Sequence, residues 1–207
     1  MQFIVIEGLD GSGKTTVTKL LAERFVAHGL PCHLTFEPTK NPIGALMRSI
    51  VSGKITGIEN EAVALLFAAD RYQHLKSEIL PALEHSNVIC DRYYYSSMAY
   101  QGLDSDTLER IISYHQAVMP IRRPDFVFFL NVTPDECIRR VEARGEEISI
   151  FEALPELELR YERYMAAIER MKEIDNIIKV GSNTASFEEV VDQMWEYLHA
   201  PPSSFRA

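Results

Sequence analysis

The chain has 207 residues, 46% of them hydrophobic, which suits one domain with a sizeable core. A formal net charge of −9 argues against broad binding to a nucleic-acid backbone, which needs a basic face. It leaves open a small phosphorylated ligand, because a few arginines can focus charge locally. In chain order, Phe3–Ile6 reads as a buried strand, followed by a glycine-rich turn and a helical pattern over Thr15–Ala27. Cys32–Phe36 is a second strand, Glu59–Leu83 a long helical pattern, and Val88–Cys90 a third strand. Phe126–Leu130 is a fourth strand, Pro134–Ala143 and Pro155–Lys172 are helical, and Ile177–Val180 is a fifth strand. Strands apolar on both faces and separated by helices predict a parallel sheet covered on both sides, an α/β fold.

The three cysteines, Cys32, Cys90 and Cys137, are widely spaced and form neither a disulfide framework nor a metal-ligand pattern. Cys90 reads as a small core residue. Met1 leads directly into a strand, nothing there resembles a signal peptide, and no apolar run reaches membrane-spanning length. The expectation is a soluble, cytoplasmic protein with no membrane or nucleic-acid partner. Residues 1–200 read as a single domain, with a mobile lid at about 144–153 and a flexible tail at 201–207.

The sharpest local signal is Gly8-Leu9-Asp10-Gly11-Ser12-Gly13-Lys14-Thr15, which fits G-x-x-x-x-G-K-[ST] between a strand and a helix. The glycines let backbone N–H groups wrap a phosphate, and the following helix adds its positive end. Lys14, read as a lysine on a surface loop, is expected to reach the β- and γ-phosphates of a bound nucleotide. Thr15 is expected to hold Mg²⁺ through its hydroxyl. Such a loop serves switches, motors and kinases alike. A guanine-specific switch would carry N-K-x-D and, after the third strand, D-x-x-G; here Asp91 is followed by Arg92-Tyr93-Tyr94. Asp91 is placed as an acid orienting the metal or its water, and Arg92 as a positive fork at the carboxyl ends of the strands.

Five segments carry a family resemblance: "FIVIEGLDGSGKTT", "EPTKNPIGALMR", "LLFAADRYQH", "VICDRYYYSSMAYQG" and "RPDFVFFLNVTPDECIRRVEARG". In this order and spacing, from Phe3 to about Tyr164, the chain resembles the thymidylate kinase family. The resemblance implies a P-loop NTPase fold with strand order 2-3-1-4-5 and a homodimer built from helices. It implies ATP- and Mg²⁺-dependent phosphorylation of dTMP to dTDP. The nearest rival is another nucleoside monophosphate or deoxynucleoside kinase, and the rival of another class is a non-catalytic nucleotide-binding switch.

The resemblance also implies site residues. Phe67 would stack on the thymine ring, a contact worth roughly 1–3 kcal/mol, and Arg71, at i+4, would donate to its O4. Ser97 and Gln101, also at i and i+4, match positions that bond the pyrimidine edge. Tyr100 matches the residue under the sugar, where excluding a ribose 2′-hydroxyl is worth about 1–3 kcal/mol. Arg48 and Arg92 would grip the acceptor phosphate, and Glu37-Pro38 stands where the family often has a cis proline. Asp10 would face the acceptor side. Tyr94 and Tyr95 are expected to pack, and Ser96 to cap a helix.

Transfer of a phosphoryl group also calls for a cation at the transferring group, worth about 10³–10⁵ in rate. Gly11 and Ser12 exclude an arginine in the phosphate loop. Many relatives carry an Asp-Arg pair after the Arg-Gly of the lid, but here the chain reads Glu146-Glu147-Ile148-Ser149. The remaining candidates are Arg139, Arg140 and Arg144. Arg144 is favoured because it borders the lid, and Arg140 is assigned to the nucleotide, stacked on adenine, or to structure.

Overall fold

The computed structural model describes residues 1–116, 120, 122–143 and 154–199. Five parallel strands form one sheet: β1 (Phe3–Glu7), β2 (Cys32–Phe36), β3 (Asn87–Asp91), β4 (Phe126–Leu130) and β5 (Ile177–Val180). Their order is β2-β3-β1-β4-β5, as expected for a P-loop NTPase fold. Ile4 of β1 pairs with Ile89 on one side and Phe126 on the other.

Alternation along each strand divides the core into two layers. Phe3, Val5, Val88, Cys90, Val127 and Phe129 face one side. There they meet α3 (Asn60–His74), α5 (Tyr94–Gln101), α6 (Ser105–His115) and α8 (Leu154–Met171). Ile4, Ile6, Ile89, Phe128, Leu130 and Ile178 face the other side, against α1 (Lys14–Ala27) and α9 (Phe187–His199). Each fully buried aliphatic or aromatic side chain contributes about 1.5–3 kcal/mol. The neighbouring strands β1 and β3 therefore feed helices on opposite faces, α1 and α5. That divergence opens a crevice at their carboxyl ends, where sheets of this kind take ligands. Two further helices, α2 (Pro42–Val51) and α7 (Pro134–Ala143), flank it.

The long pattern over 59–83 is not one uniform helix. Glu59 precedes it with no capping bond from its side chain, α3 runs to His74, a π-helical stretch covers Leu75–Ile79, and α4 (Leu80–Leu83) completes it. The N–H of Leu80 bonds Leu75 O, five residues back. Pro81 follows directly; it has no N–H to give Ser77, and its ring would crowd that carbonyl, so the backbone widens just before it.

Burial pushes Cys32 up to about 11 and Cys137 up to about 12, and raises Cys90 well above its ordinary value. All three are free thiols. No described helix is long and apolar enough to cross a membrane.

Candidate active site

The phosphate loop leaves β1 at Glu7. Gly13 caps α1 with φ 97°, a left-handed conformation open to glycine at little cost. A Cβ on Gly13 would run into the Phe187 ring, and one on Gly11 (φ 81°) would lie 2.5 Å from Cys137 O. Glycine is thus required here both by conformation and by the close approach of α7 and α9. Leu9 and Ser12 are buried. Lys14 is buried as well, at 6% exposure, and so is not a surface-loop lysine. Its Nζ donates to Leu9 O at 2.6 Å and lies 4.0 Å from Asp10. Burial, with Arg92 nearby, lowers the Lys14 pKa, and Asp10 opposes them in part.

Thr15 Oγ1 donates to Asp91 Oδ2 at 2.9 Å, which joins the two residues assigned to a metal. Asp91 Oδ1 is buried with no hydrogen-bond partner among the described residues. A hydroxyl beside a carboxylate with an unsatisfied oxygen is a donor set that fits Mg²⁺, a hard cation that keeps several waters. A cavity of about 520 Å³ opens over these groups, lined by Gly11, Gly13, Lys14, Thr15, Asp91 and Phe187, together with Asp10, Arg92, Arg139 and Arg140.

A second cavity, of about 420 Å³, lies between α3 and α5. Glu37, Arg48, Phe67, Arg71, Ser97, Tyr100 and Gln101 all line it, so the candidates scattered from 37 to 101 in sequence converge. Arg71 is 1% exposed. Its Nε donates to Glu37 Oε2 at 2.8 Å, and its Nη1 donates to Ser97 Oγ at 3.3 Å and to a ring nitrogen of His115 at 3.1 Å. His74 Nδ1 lies 3.1 Å from Glu37 Oε1. Burial, and then Arg71, hold the His115 pKa well below its ordinary value of 6.5. Gln101 Oε1 is buried without a hydrogen-bond partner among the described residues. The Glu37-Pro38 bond is cis. Arg48 Nη1 donates to Pro38 O at 3.1 Å and also to Thr39 O, so this guanidinium holds the loop after β2.

Arg92 stands where the cavities meet, with φ 71°, a left-handed backbone that an arginine rarely adopts. Its Nη2 donates to Asp10, and its Nη1 to Ser96 Oγ at 3.2 Å and Tyr100 Oη at 3.4 Å. Burial opposes its charge, but Asp10 and the neighbouring groups outweigh burial and keep its pKa well above the ordinary value. Burial likewise works against ionised Asp10, yet Arg92 and Lys14 hold it below the usual carboxylate range. Tyr100 Oη adds a hydrogen bond to Asp10 Oδ2 at 2.5 Å.

Ser96 is not the cap of α5. Tyr93 occupies that position, and Glu7 serves the buried N-terminal end of the helix, accepting from Tyr93 N–H at 2.6 Å and Ser96 N–H at 3.1 Å. Ser96 Oγ and Tyr164 Oη donate to Glu7 Oε2 at 2.7 and 3.0 Å. Tyr94 and Tyr95 are buried and both donate to Asp175 Oδ2.

The candidates near the lid separate. Arg139 is mostly exposed and pairs with Glu136. Arg140 donates to Glu136 at 2.7 Å, to Ser12 O at 3.1 Å and to Asn183 O at 3.3 Å, and lies 5.7 Å from the centre of the Phe187 ring. It thus ties α7 to the phosphate loop. Arg144, the 144–153 lid and the 201–207 tail lie outside the described residues. Sequence reasoning missed Phe187, His115, Arg160 and the partners of Glu7. Only Glu7, a charge ending an apolar strand beside the loop, left a local signal.

A phosphate loop facing a second cavity across a shared arginine and aspartate defines the class: a P-loop phosphotransferase. The sequence model of the thymidylate kinase family matches residues 6–194. The chain belongs to that family and is an enzyme of the thymidylate kinase type. It is 46% identical to a protein of Pyrococcus abyssi named "Probable thymidylate kinase", over 91% of each chain. A protein of the same name from Methanocaldococcus jannaschii is 38% identical over 97% of each chain.

Proposed function

We propose that the protein transfers the terminal phosphoryl group of ATP, with Mg²⁺, to dTMP, giving dTDP and ADP. One observation carries the reading: the cavity over the phosphate loop and the cavity holding Phe67, Arg71, Ser97 and Gln101 share Asp10 and Arg92. Two ligands seated there would meet at these residues, as direct transfer between oxygens requires. The names carried by the relatives point to the same acceptor.

In this reading Gly8, Leu9, Gly11, Ser12 and Gly13 cradle the donor phosphates with Lys14, and Thr15 and Asp91 hold the metal. A Mg²⁺ ion held there would supply charge that neutralises the donor phosphates. Arg140 orders the phosphate loop beneath the donor. Phe67 stacks on the base, while Arg71, Ser97 and Gln101 bond its edge. Arg48 and Arg92 bind the acceptor phosphate. Asp10, kept ionised, holds Arg92 toward the phosphates and Tyr100 toward the sugar. Arg92 stays charged at the junction and faces the phosphoryl group as it passes. Arg144 remains our candidate for a further cation from the lid. A cytoplasmic homodimer built on helices completes the proposal; Leu65 and Tyr72, exposed and seven residues apart on α3, offer it an apolar surface.

A coupled assay with Mg-ATP and a panel of dTMP, dUMP, dCMP, dAMP and thymidine tests the reading. We expect the highest kcat/KM with dTMP. A different preferred acceptor, or nucleotide binding without turnover on any of them, would overturn it.

A further inference from the structure

Arg160 lies outside every sequence motif, yet it is 5% exposed and sits beside the acceptor site. Its guanidinium carbon is 4.5 Å from the centre of the Tyr100 ring, and its Nη1 is 4.0 Å from Asp10 Oδ2. Arg92 also approaches that ring, at 5.5 Å, and donates to the other Asp10 oxygen. Tyr100 and Asp10, already joined at 2.5 Å, are therefore each engaged by two guanidinium groups.

The source of Arg160 gives this arrangement a purpose. Arg160 and Tyr164 lie four residues apart on α8, so they share one face. Tyr100 and Ser96 lie four residues apart on α5. Arg160 meets Tyr100, and Tyr164 Oη lies 3.0 Å from Ser96 Oγ, so two rungs join the helices. The Tyr100 rung is the outer one. It falls in the last turn of α5, which ends at Gln101, where a helix's own hydrogen bonds hold a residue least firmly. The ring at that position is held by what touches its face and its hydroxyl. A planar guanidinium over a tyrosine face is a favourable and directional contact.

We infer that Arg160 is a positioning residue that sets selection between deoxyribose and ribose, acting through Tyr100. This rests on the proposed dTMP reading, in which Tyr100 lies where a ribose 2′-hydroxyl would project. A wall excludes a hydroxyl only if it cannot yield, and Arg160 keeps the ring from swinging toward α8. Without it, Tyr100 gains room, the ribonucleotide gains access, and dTMP loses part of its fit.

The test compares kcat/KM for dTMP and for ribothymidine 5′-monophosphate in wild type, Arg160→Ala, Arg160→Lys and Arg160→Met. Lysine keeps charge near Asp10 without a planar face, and methionine covers the ring without charge; both guard against an alanine variant that does not fold. We expect Arg160→Ala to lower the deoxy-to-ribo ratio about tenfold, with a higher KM for dTMP and an ATP KM within about twofold of wild type. Lysine and methionine should each lower the ratio less. In a Tyr100→Ala background the same change should leave the ratio where Tyr100→Ala alone put it. An unchanged ratio in folded variants, equal losses on both acceptors, or full additivity with Tyr100→Ala would each overturn the assignment. A wild-type protein that phosphorylates neither acceptor would instead overturn the underlying reading.

Discussion

Arg71 carries two roles that single-residue reasoning would separate. It lines the acceptor cavity, and it is also the buried counter-ion of Glu37, with Nη2 2.6 Å from Oε2. Removing one partner of a buried pair leaves the other charge stranded, at a cost of about 3–5 kcal/mol. Arg71→Ala should therefore lower stability by about that amount in denaturant unfolding, and raise the KM for dTMP well above its effect on ATP. Wild-type stability would mean that Glu37 finds another partner. The two roles differ in how far the sequence announces them. The i, i+4 spacing of Phe67 and Arg71 is local and readable. Glu37 and His115 reach Arg71 from 34 and 44 residues away, and no periodicity encodes such pairings. The same holds for Lys14: the motif names it, but its burial depends on groups that the motif does not contain.

At the scale of elements, short apolar runs marked all five strands to within a residue or so; β1, β3 and β4, inside the sheet and covered on both faces, are nearly continuously buried, while the edge strands β2 and β5 are only partly so. The π-helical stretch was hidden, since apolar spacing barely distinguishes a widened turn from a regular one. Also hidden was the packing of α9 on the phosphate loop. Phe187 starts α9 far from the motif in sequence, and its ring fills the space a Gly13 side chain would need. Gly13→Ala should therefore destabilise through both a clash and a left-handed backbone, by about 1–3 kcal/mol. Phe187→Ala removes the clash alone. Combined with it, Gly13→Ala should cost measurably less than in the native background, a coupling that thermal or denaturant melts of the double-mutant cycle can read. Simple additivity would mean that the cost lies in the backbone alone.

At the scale of the molecule, three titrating groups, two of them fully buried, shape stability in different pH windows. His115 has a depressed pKa, so the unfolded chain binds more protons as pH falls below 6.5, and stability is lost from there downward. Asp10, also depressed, acts only below its ordinary value of 3.8. Glu7 is raised by burial, against the hydrogen bonds that Ser96 and Tyr93 give it; its contribution runs the other way, falling as pH rises past 4.5. Between pH 7 and 5 the His115 effect should be visible as a falling Tm, and His115→Gln should flatten that slope. An equal slope in the variant would place the sensitivity elsewhere.

The central claim is that donor and acceptor sit together across Asp10 and Arg92 and exchange a phosphoryl group directly. Initial rates over a grid of Mg-ATP and dTMP concentrations test this most directly. The shared junction predicts turnover with intersecting double-reciprocal lines, the mark of a complex holding both substrates. Parallel lines, which require the phosphoryl group to rest on the enzyme between two separate binding events, or no turnover of dTMP at all, would contradict it.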